Sequence, residues 1–209
     1  MEEIKQQFAT PASKETVEET IAALKKNGMD AVFVQTPEEA KKRVFDLIPE
    51  HAKVMNMTSR TLDETSIAHD IVESGKYESI RKQLESMDRK TESLEMQKLG
   101  AAPEYTVGSV HAVTKDGKVL VASNTGSQLP AYAYGSAHVI WVVGTQKIVE
   151  NVEEGMKRIY DYILPLESVR INNVYHMTTG SYVSKLLIIN REISPERIHI
   201  IFVNKVLGF

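Results

Sequence analysis

The stretch from His111 to Val149 constrains the fold more than any other part of the chain. Two short apolar and β-branched runs flank Asp116-Gly117, and a polar loop then leads to the apolar run His138–Val143. An Asp-Gly pair between such runs is a strong signal for a tight hairpin turn. A run as apolar as His138–Val143 is typical of a strand that is covered on both faces. The stretch therefore predicts a hairpin followed by a buried strand.

The residues before this block predict alternating helices and strands. Apolar residues at helical spacing indicate a first helix, which Ser13 begins and Asn27-Gly28 ends. The run Ala31–Val34 predicts a strand. Thr36 and Glu39 then form a capping-box pattern around Pro37, which predicts the start of the next helix.

A second strand is predicted at Ala52–Met57, and it leads into the hydroxyl-rich turn Thr58–Thr61. Thr61 and Glu64 form a further capping-box pattern, so we expect Thr61 to cap a helix that continues to Gly75. The start of a helix presents free amides and the positive end of its dipole. This turn is therefore a candidate site for an anionic group.

The remaining pattern completes an α/β fold. A charged helix is expected over Ile80–Leu99, with a break in it as an open alternative, and Asn151 with Glu154 caps another helix that Pro165 ends. The remaining strands are expected at Val107–Thr114, Lys118–Ala122, Val169–Val174, Leu186–Ile189 and Ile198–Val203. We predict one domain over residues 1–209, with a helical lead-in over 1–30 and a mostly parallel sheet that carries an antiparallel hairpin.

Composition excludes several classes of function. A net charge of −3 and a pI near 6.1 give no support for nucleic acid or an anionic membrane as a partner. The chain has no cysteine, which excludes disulfides, thiolate nucleophiles and cysteine-held metal centres. The polar start MEEIKQQFA and the absence of an apolar run of roughly 20 residues predict a cytoplasmic protein.

Familiar catalytic motifs are also missing. The sequence has no GxGxxG after a strand, no GxxxxGK[ST], no HExxH and no GxSxG. We therefore predict no cofactor and no metal site, and we assign no catalytic residue.

Two polar loops remain as candidates for a small-molecule site. The first is the turn after the second strand, and the second follows the hairpin, at the strand end where ligands bind in open α/β sheets. The proposed binding residues are Thr58, Ser59, Arg60, Thr61, Glu64, Thr114, Asn124, Gly126, Ser127, Gln128 and Lys147. The alternatives are structural: Thr61 and Ser127 would only cap helices, and Arg60 and Lys147 would lie in solvent.

Four segments resemble the LUD-domain family, the LutC/YkgG-like lactate-utilisation proteins. Ser59–Glu64, followed by Ile67, resembles the family pattern S-x-T-L-x-E. His111–Thr114 with Asp116-Gly117 resembles A-[IV]-T-x-D-G, and Val139–Val149 resembles V-I-x-V-x-G-x-x-K-I-V. Arg197–Ile200 and the ending Leu207-Gly208-Phe209 are similar to the closing strand and tail of the short branch. The resemblance runs from about Val54 to the end of the chain.

The resemblance implies a three-layer α/β/α fold of the NagB/RpiA/CoA-transferase-like type. Relatives in that superfamily bind sugar phosphates, CoA esters or folates at the carboxyl edge of the sheet. It further implies a link to lactate or organic-acid utilisation, in the company of iron–sulfur proteins.

This sequence departs from the family pattern in three places. The region Tyr175–Lys185 lacks the cysteine cluster of many short-branch relatives, which removes a cluster-binding role. Gly126-Ser127-Gln128 stands where many relatives have Gly-Asn-Arg, which weakens the case for a strongly anionic ligand at that loop. Ser66 occupies a position where relatives tend to have glycine. In addition, Asp116 is expected to form the turn rather than act as a nucleophile.

Two functions are consistent with these observations. The first is a protein that binds an organic acid, a sugar phosphate or a CoA-like molecule. The alternative is a non-catalytic partner or regulatory subunit of an iron–sulfur oxidase system, with Tyr132 and Tyr134 exposed at an interface and Trp141 in the core. A homo-oligomer is compatible with either function.

Overall fold

The structure, a computed structural model, describes residues 6–176 and 178–209. The first five residues of the polar N-terminal stretch therefore lie outside the described part. In the part that is described, no helix is both long enough and apolar enough to cross a bilayer.

Ten strands of the described residues form two sheets. The strands are β1 Asp30–Val34, β2 Lys53–Asn56, β3 Glu78–Ser79, β4 Tyr105–Gly108, β5 Ala112–Thr114, β6 Val119–Ser123, β7 His138–Gly144, β8 Ile148–Val149, β9 Lys185–Ile189 and β10 Ile198–Val203. The main sheet is parallel throughout, in the order β1-β10-β7-β4-β2-β3. The second sheet is mixed, in the order β8-β5-β6-β9. The predicted α/β class, with a mostly parallel sheet and an antiparallel hairpin, is confirmed.

In the described part of the chain, eight α-helices connect and cover these sheets, and residues 6–8 are helical as well. They are α1 Lys14–Lys26, α2 Pro37–Asp46, α3 Arg60–Glu64, α4 Ile67–Glu73, α5 Ile80–Ser86, α6 Ser93–Ala101, α7 Val152–Lys157 and α8 Leu164–Tyr175. Two π-helical segments, Ala131–Gly135 and Arg158–Ile163, and one 3₁₀ turn, Thr145–Lys147, are also present. The predicted break in the charged helix after Ile80 is confirmed by the separation of α5 from α6.

The core follows from alternation along the central strand β7. Val139, Trp141 and Val143 point to one face of the main sheet, where they pack with α1 and the hairpin. Ile140 and Val142 point to the other face and pack with α2, α3 and α4. The second sheet contributes a further core on its outer face, against the π-helix Arg158–Ile163. The prediction that the apolar run His138–Val143 is covered on both faces is thus confirmed.

Local capping signals explain most helix starts. The side chains of Ser13, Thr36 and Asn151 accept hydrogen bonds from the amides of Thr16, Glu39 and Glu154. The prediction for Thr61 is wrong, because Ser59 caps α3 by accepting from the Leu62 amide at 3.5 Å. Thr61 lies inside the helix and is buried. The expected continuous helix is also broken, at Ser66, which has a positive φ of 57°.

Three further predictions of the sequence are corrected. The segment Val107–Thr114 is not one strand, because β4 ends at Gly108 in the main sheet and β5 begins at Ala112 in the second sheet. Pro165 does not end a helix: it lies in the first turn of α8, where the missing N–H of proline is tolerated. Val169–Val174 is consequently helical and not a strand.

Candidate functional site

Three strands of the main sheet end at one edge and place polar segments side by side. β2 leads to Thr58 and Ser59, β4 leads to Ser109, and β7 leads to Thr145-Gln146-Lys147. Since neighbouring parallel strands share their carboxyl edge, these segments are brought together by the sheet order β7-β4-β2.

Lys147 is the centre of this arrangement. Its side chain is buried, with 2% of the residue surface exposed, so it is not the surface lysine of the structural alternative. The Lys147 Nζ donates to Thr61 Oγ1 and to Ser109 Oγ, each at 3.1 Å. The three side chains come from the segments that follow β7, β2 and β4. Lys147 therefore connects all three segments at this edge.

The C-terminal tail closes one side of this network. Thr61 Oγ1 donates to the Leu207 carbonyl at 3.2 Å, and Gln146 Nε2 donates to the same oxygen at 2.9 Å. The Gly208 amide donates to Glu64 at 2.9 Å, and Glu64 also pairs with the half-exposed Arg60 at 3.2 Å. Thr61, Glu64 and Arg60 are thus held by protein contacts near Lys147.

Burial gives the Lys147 amine unusual chemistry. Desolvation, with a smaller effect from the nearby Arg158 charge, lowers the pKa of Lys147 from its ordinary 10.5 to about 7, against an opposing effect of Glu64. An amine with a pKa near neutrality exchanges its proton readily and is present in both forms at physiological pH. Lys147 can therefore act as a cationic donor or as a proton carrier.

Two further basic residues lie behind Lys147. Arg158 is fully buried, and its Nη1 donates to the His111 carbonyl at 2.5 Å. The His111 Nδ1 accepts from the Ala122 amide at 3.2 Å, which fixes a neutral tautomer. Desolvation, together with the charges of Lys147 and Arg158, lowers the pKa of His111 to about 3. This part of the site is consequently positive without a charge on the histidine.

A cleft of about 410 Å³ opens beside the end of β2. Its walls include Asn56, Thr58, Asp63, His69 and Arg81. The Arg81 Nη2 donates to the Asn56 carbonyl at 2.9 Å and to Thr58 Oγ1 at 3.2 Å. The cleft therefore combines a guanidinium and a hydroxyl with the carboxyl groups of Asp63, Glu73 and Glu85 at the carboxyl edge of the sheet.

The second predicted loop is held in a different way. Gly126 and Gln128 bond to the end of β6, through Ser123 Oγ at 2.9 Å and the Ala122 carbonyl at 3.4 Å. Asn124 accepts from Ser184 at 3.2 Å, and Ser127 bonds to Thr125 rather than capping a helix. The loop follows Ala122, whose amide bonds to His111, so it begins at the end of the second sheet that faces Lys147. Its own hydrogen bonds run to β6 and to Ser184.

Thr114 is not part of the Lys147 network. It lies at the far end of β5, where its hydroxyl bonds to Asp116 and accepts from the Lys118 amide at 2.9 Å. Asp116 itself accepts from Asn27 through its carbonyl at 3.0 Å, so it forms the turn as expected. The local contacts of Thr114 are those of a turn residue.

Comparison with known proteins identifies the family. A family model described as LUD domain matches residues 17–203. The chain belongs to the LUD domain family.

A solved structure supports this assignment at the level of the fold. The LUD-domain chain resembles a DUF162 family protein from Deinococcus radiodurans with a TM-score of 0.57 and 12% identity. The match covers 93% of this chain and 100% of that chain. Ribose 5-phosphate isomerase from Plasmodium falciparum matches with a TM-score of 0.40 and 13% identity, over 83% of this chain and 94% of that chain. No curated protein matches the chain significantly.

Sequence reasoning missed several polar residues of this LUD-domain protein. Ser109 was hidden because one strand was expected to run through it. Arg158 follows Gly155 and precedes Tyr162 at the three-to-four spacing of a buried helical stripe, which was an available signal. Arg81 is carried to Thr58 by the fold alone, from 23 positions away.

Proposed function

We propose that this LUD-domain protein binds a small molecule at the carboxyl edge of its main sheet, in the service of organic-acid utilisation. The candidate ligands are an organic acid, a sugar phosphate or a CoA-like molecule. The site would combine the hydrogen-bonded group of Lys147, Thr61 and Ser109 with the cleft on the neighbouring segment, which Thr58 and Arg81 line. The buried Lys147 ammonium between two hydroxyls is the observation that carries this proposal.

The chemistry of these residues favours an oxygen-rich ligand. A buried ammonium and a guanidinium both donate to carboxylate, phosphate or carbonyl oxygens, and the hydroxyls of Thr61 and Ser109 can donate or accept. Membership of the LUD domain family supports the link to lactate and related acids. The role of Ser59, Asn124, Gly126, Ser127 and Gln128 in this site stays a prediction.

Isothermal titration with L-lactate, ribose 5-phosphate and acetyl-CoA tests the proposal. We expect one of these classes to bind wild type, and Lys147→Met to weaken that binding by about tenfold to a hundredfold, since a charge-assisted hydrogen bond contributes about 1.5–3 kcal/mol. Lys90→Met, at an exposed turn, is the matched control and should bind as wild type does. Equal binding by wild type and Lys147→Met would refute the proposal.

The alternative function, a non-catalytic partner of an iron–sulfur oxidase, is favoured by one observation. Val169 and Val174 on α8 are 59% and 55% exposed, and Tyr182 nearby in the chain is 59% exposed. Tyr134 is also exposed, whereas Tyr132 and Trp141 are buried, so the expected exposure of Tyr132 is wrong. Purification from the native host distinguishes this function: a co-purifying chain that contains iron and absorbs visible light supports it. A protein that elutes alone, without iron, counts against it.

A further inference from the structure

The buried guanidinium of Arg158 is only partly hydrogen-bonded by the described residues. The residue lies in the π-helix Arg158–Ile163 and is fully buried against the second sheet. Its Nη1 donates to the His111 carbonyl. Among the described residues, its Nε and Nη2 are buried without any hydrogen-bond acceptor.

The surroundings of Arg158 are aromatic rather than acidic. The guanidinium carbon lies 5.3 Å from the centre of the Tyr162 ring and 6.0 Å from that of Phe8. Ring faces attract the cation but offer no acceptor in the guanidinium plane. Within the described part of the chain, no carboxylate lies within ion-pair distance of Arg158.

A second basic residue, Lys147, is buried in the same region, because the strand β8 that follows it pairs with β5, which follows His111, the hydrogen-bond partner of Arg158. Desolvation lowers the pKa of Arg158 to about 10, and the Arg158 charge in turn contributes to the lowered pKa of Lys147. Two buried like charges are costly unless an anion joins them, and two donors of Arg158 have no acceptor among the described residues.

The two free nitrogens have a specific geometry. Nε and Nη2 form the side of the guanidinium whose parallel N–H bonds match two oxygens of a carboxylate or phosphate. The protein uses this same pair at Arg170, where Nε and Nη2 donate to the two oxygens of Glu167 at 2.7 and 2.6 Å.

We infer that Arg158 and Lys147 form a buried anion-binding site, in which Nε and Nη2 of Arg158 hold a carboxylate or phosphate group bidentately. This inference deepens the proposed function and rests on it for the position of the ligand: it assigns the anionic end of the ligand to Arg158. Arg158 was not among the residues that the sequence suggested.

Thermal unfolding in sodium phosphate, sodium acetate and sodium chloride at equal ionic strength tests the inference. We expect phosphate or acetate to raise the melting temperature of wild type above its value in chloride, and the choice between them identifies the anion class. Arg158→Met should weaken the apparent affinity for that anion at least tenfold. Arg158→Lys keeps the positive charge but lacks the two parallel N–H groups, so it should also weaken the affinity for that anion. Arg89→Met, at an exposed position, is the matched control and should respond as wild type does.

A second measurement is independent of whether Arg158→Met folds. In the arginine Nε–H region of a ¹⁵N NMR spectrum of wild type, a solvent-protected resonance should shift on addition of the active anion. An unchanged spectrum overturns the inference, as does an anion-induced rise in melting temperature for Arg158→Met equal to that of wild type. Arg158 would then be a structural residue held by the rings of Phe8 and Tyr162.

The outcome separates this inference from the proposed function. If an organic ligand binds through Lys147 but binds Arg158→Met as tightly as wild type, the inference fails and the proposed function stands. If inorganic anions bind through Arg158 while none of the organic ligands binds, the inference stands and the proposed function fails.

Discussion

Lys147 Nζ lies 3.1 Å from Thr61 Oγ1, although 86 positions separate the two residues in the chain. The contact joins the segment after β7 to helix α3 after β2, and it exists only because both strands end at one edge of the sheet. Among the residues that the structure describes, no carboxylate forms an ion pair with this buried ammonium, so the stability of the protein should depend on the protonation of Lys147.

Lys147→Met should change how stability responds to alkaline pH. The pKa of Lys147 is lowered from 10.5 in the ordinary state to about 7 in the folded protein. Between these values the unfolded chain holds a proton that the folded chain has lost, so the free energy of unfolding rises with pH, by at most about 1.4 kcal/mol per unit. In urea unfolding at pH 7, 8, 9 and 10, the free energy of unfolding of wild type should rise relative to that of Lys147→Met as the pH increases. A constant difference between the two proteins across this pH range would contradict the prediction.

Arg197→Met should destabilise the fold strongly. Arg197 pairs with Glu192 at 2.6 Å, with both side chains about 90% buried, and it donates to the carbonyls of Ala131, Tyr132 and Ser136. Removing one partner of a buried ion pair leaves the other charge uncompensated, which costs about 3–5 kcal/mol. Lys42→Met removes an exposed pair with Asp46 and should cost less than about 1 kcal/mol. Urea unfolding measures the loss of stability in both variants. Similar losses would show that the buried Arg197–Glu192 pair contributes no more stability than the exposed Lys42–Asp46 pair.

Gly117→Ala should cost more stability than Gly75→Ala. Both glycines have positive φ, 81° and 70°, so each alanine substitution should cost about 1 kcal/mol because alanine is strained in a left-handed conformation. Only at Gly117 would the added Cβ also lie 2.6 Å from the backbone of Ala23, whereas nothing lies within 4 Å at Gly75. We expect the loss at Gly117 to exceed that at Gly75 by at least about 1 kcal/mol in thermal unfolding, because steric overlap with backbone adds to the conformational cost. Equal losses would mean that the hairpin turn does not press against α1.

Ser66→Gly should stabilise the protein. Ser66 is exposed and has a positive φ of 57°, a conformation that glycine adopts without steric cost. We expect a gain of about 0.5 kcal/mol, since relief of the left-handed strain outweighs the greater entropy of glycine in the unfolded chain. The control Ser93→Gly, in the first turn of α6, should lose stability. Differential scanning calorimetry would contradict the prediction if both variants lost stability alike.

Local chemistry explains what could be predicted in advance. Ser13, Thr36 and Asn151 were recognised as caps because each contacts an amide three residues away. The Asp116-Gly117 turn and the run His138–Val143 were also found from neighbouring residues alone, as were the family motifs around Ser59 and Lys147. The positive φ of Ser66 now gives a backbone reason for the glycine that relatives tend to have there.

By itself, the sequence determined the α/β class, most of the helices and strands, the hairpin and the family motifs, since each of these depends on residues within a few positions of one another. The tertiary structure decided the rest. It split Val107–Thr114 between two sheets and kept Val169–Val174 helical, because packing and the helix begun around Pro165 override a β-branched run. It also buried both Lys147 and Arg158, since their partners Thr61, Ser109 and His111 come from distant segments that meet only when the sheets assemble.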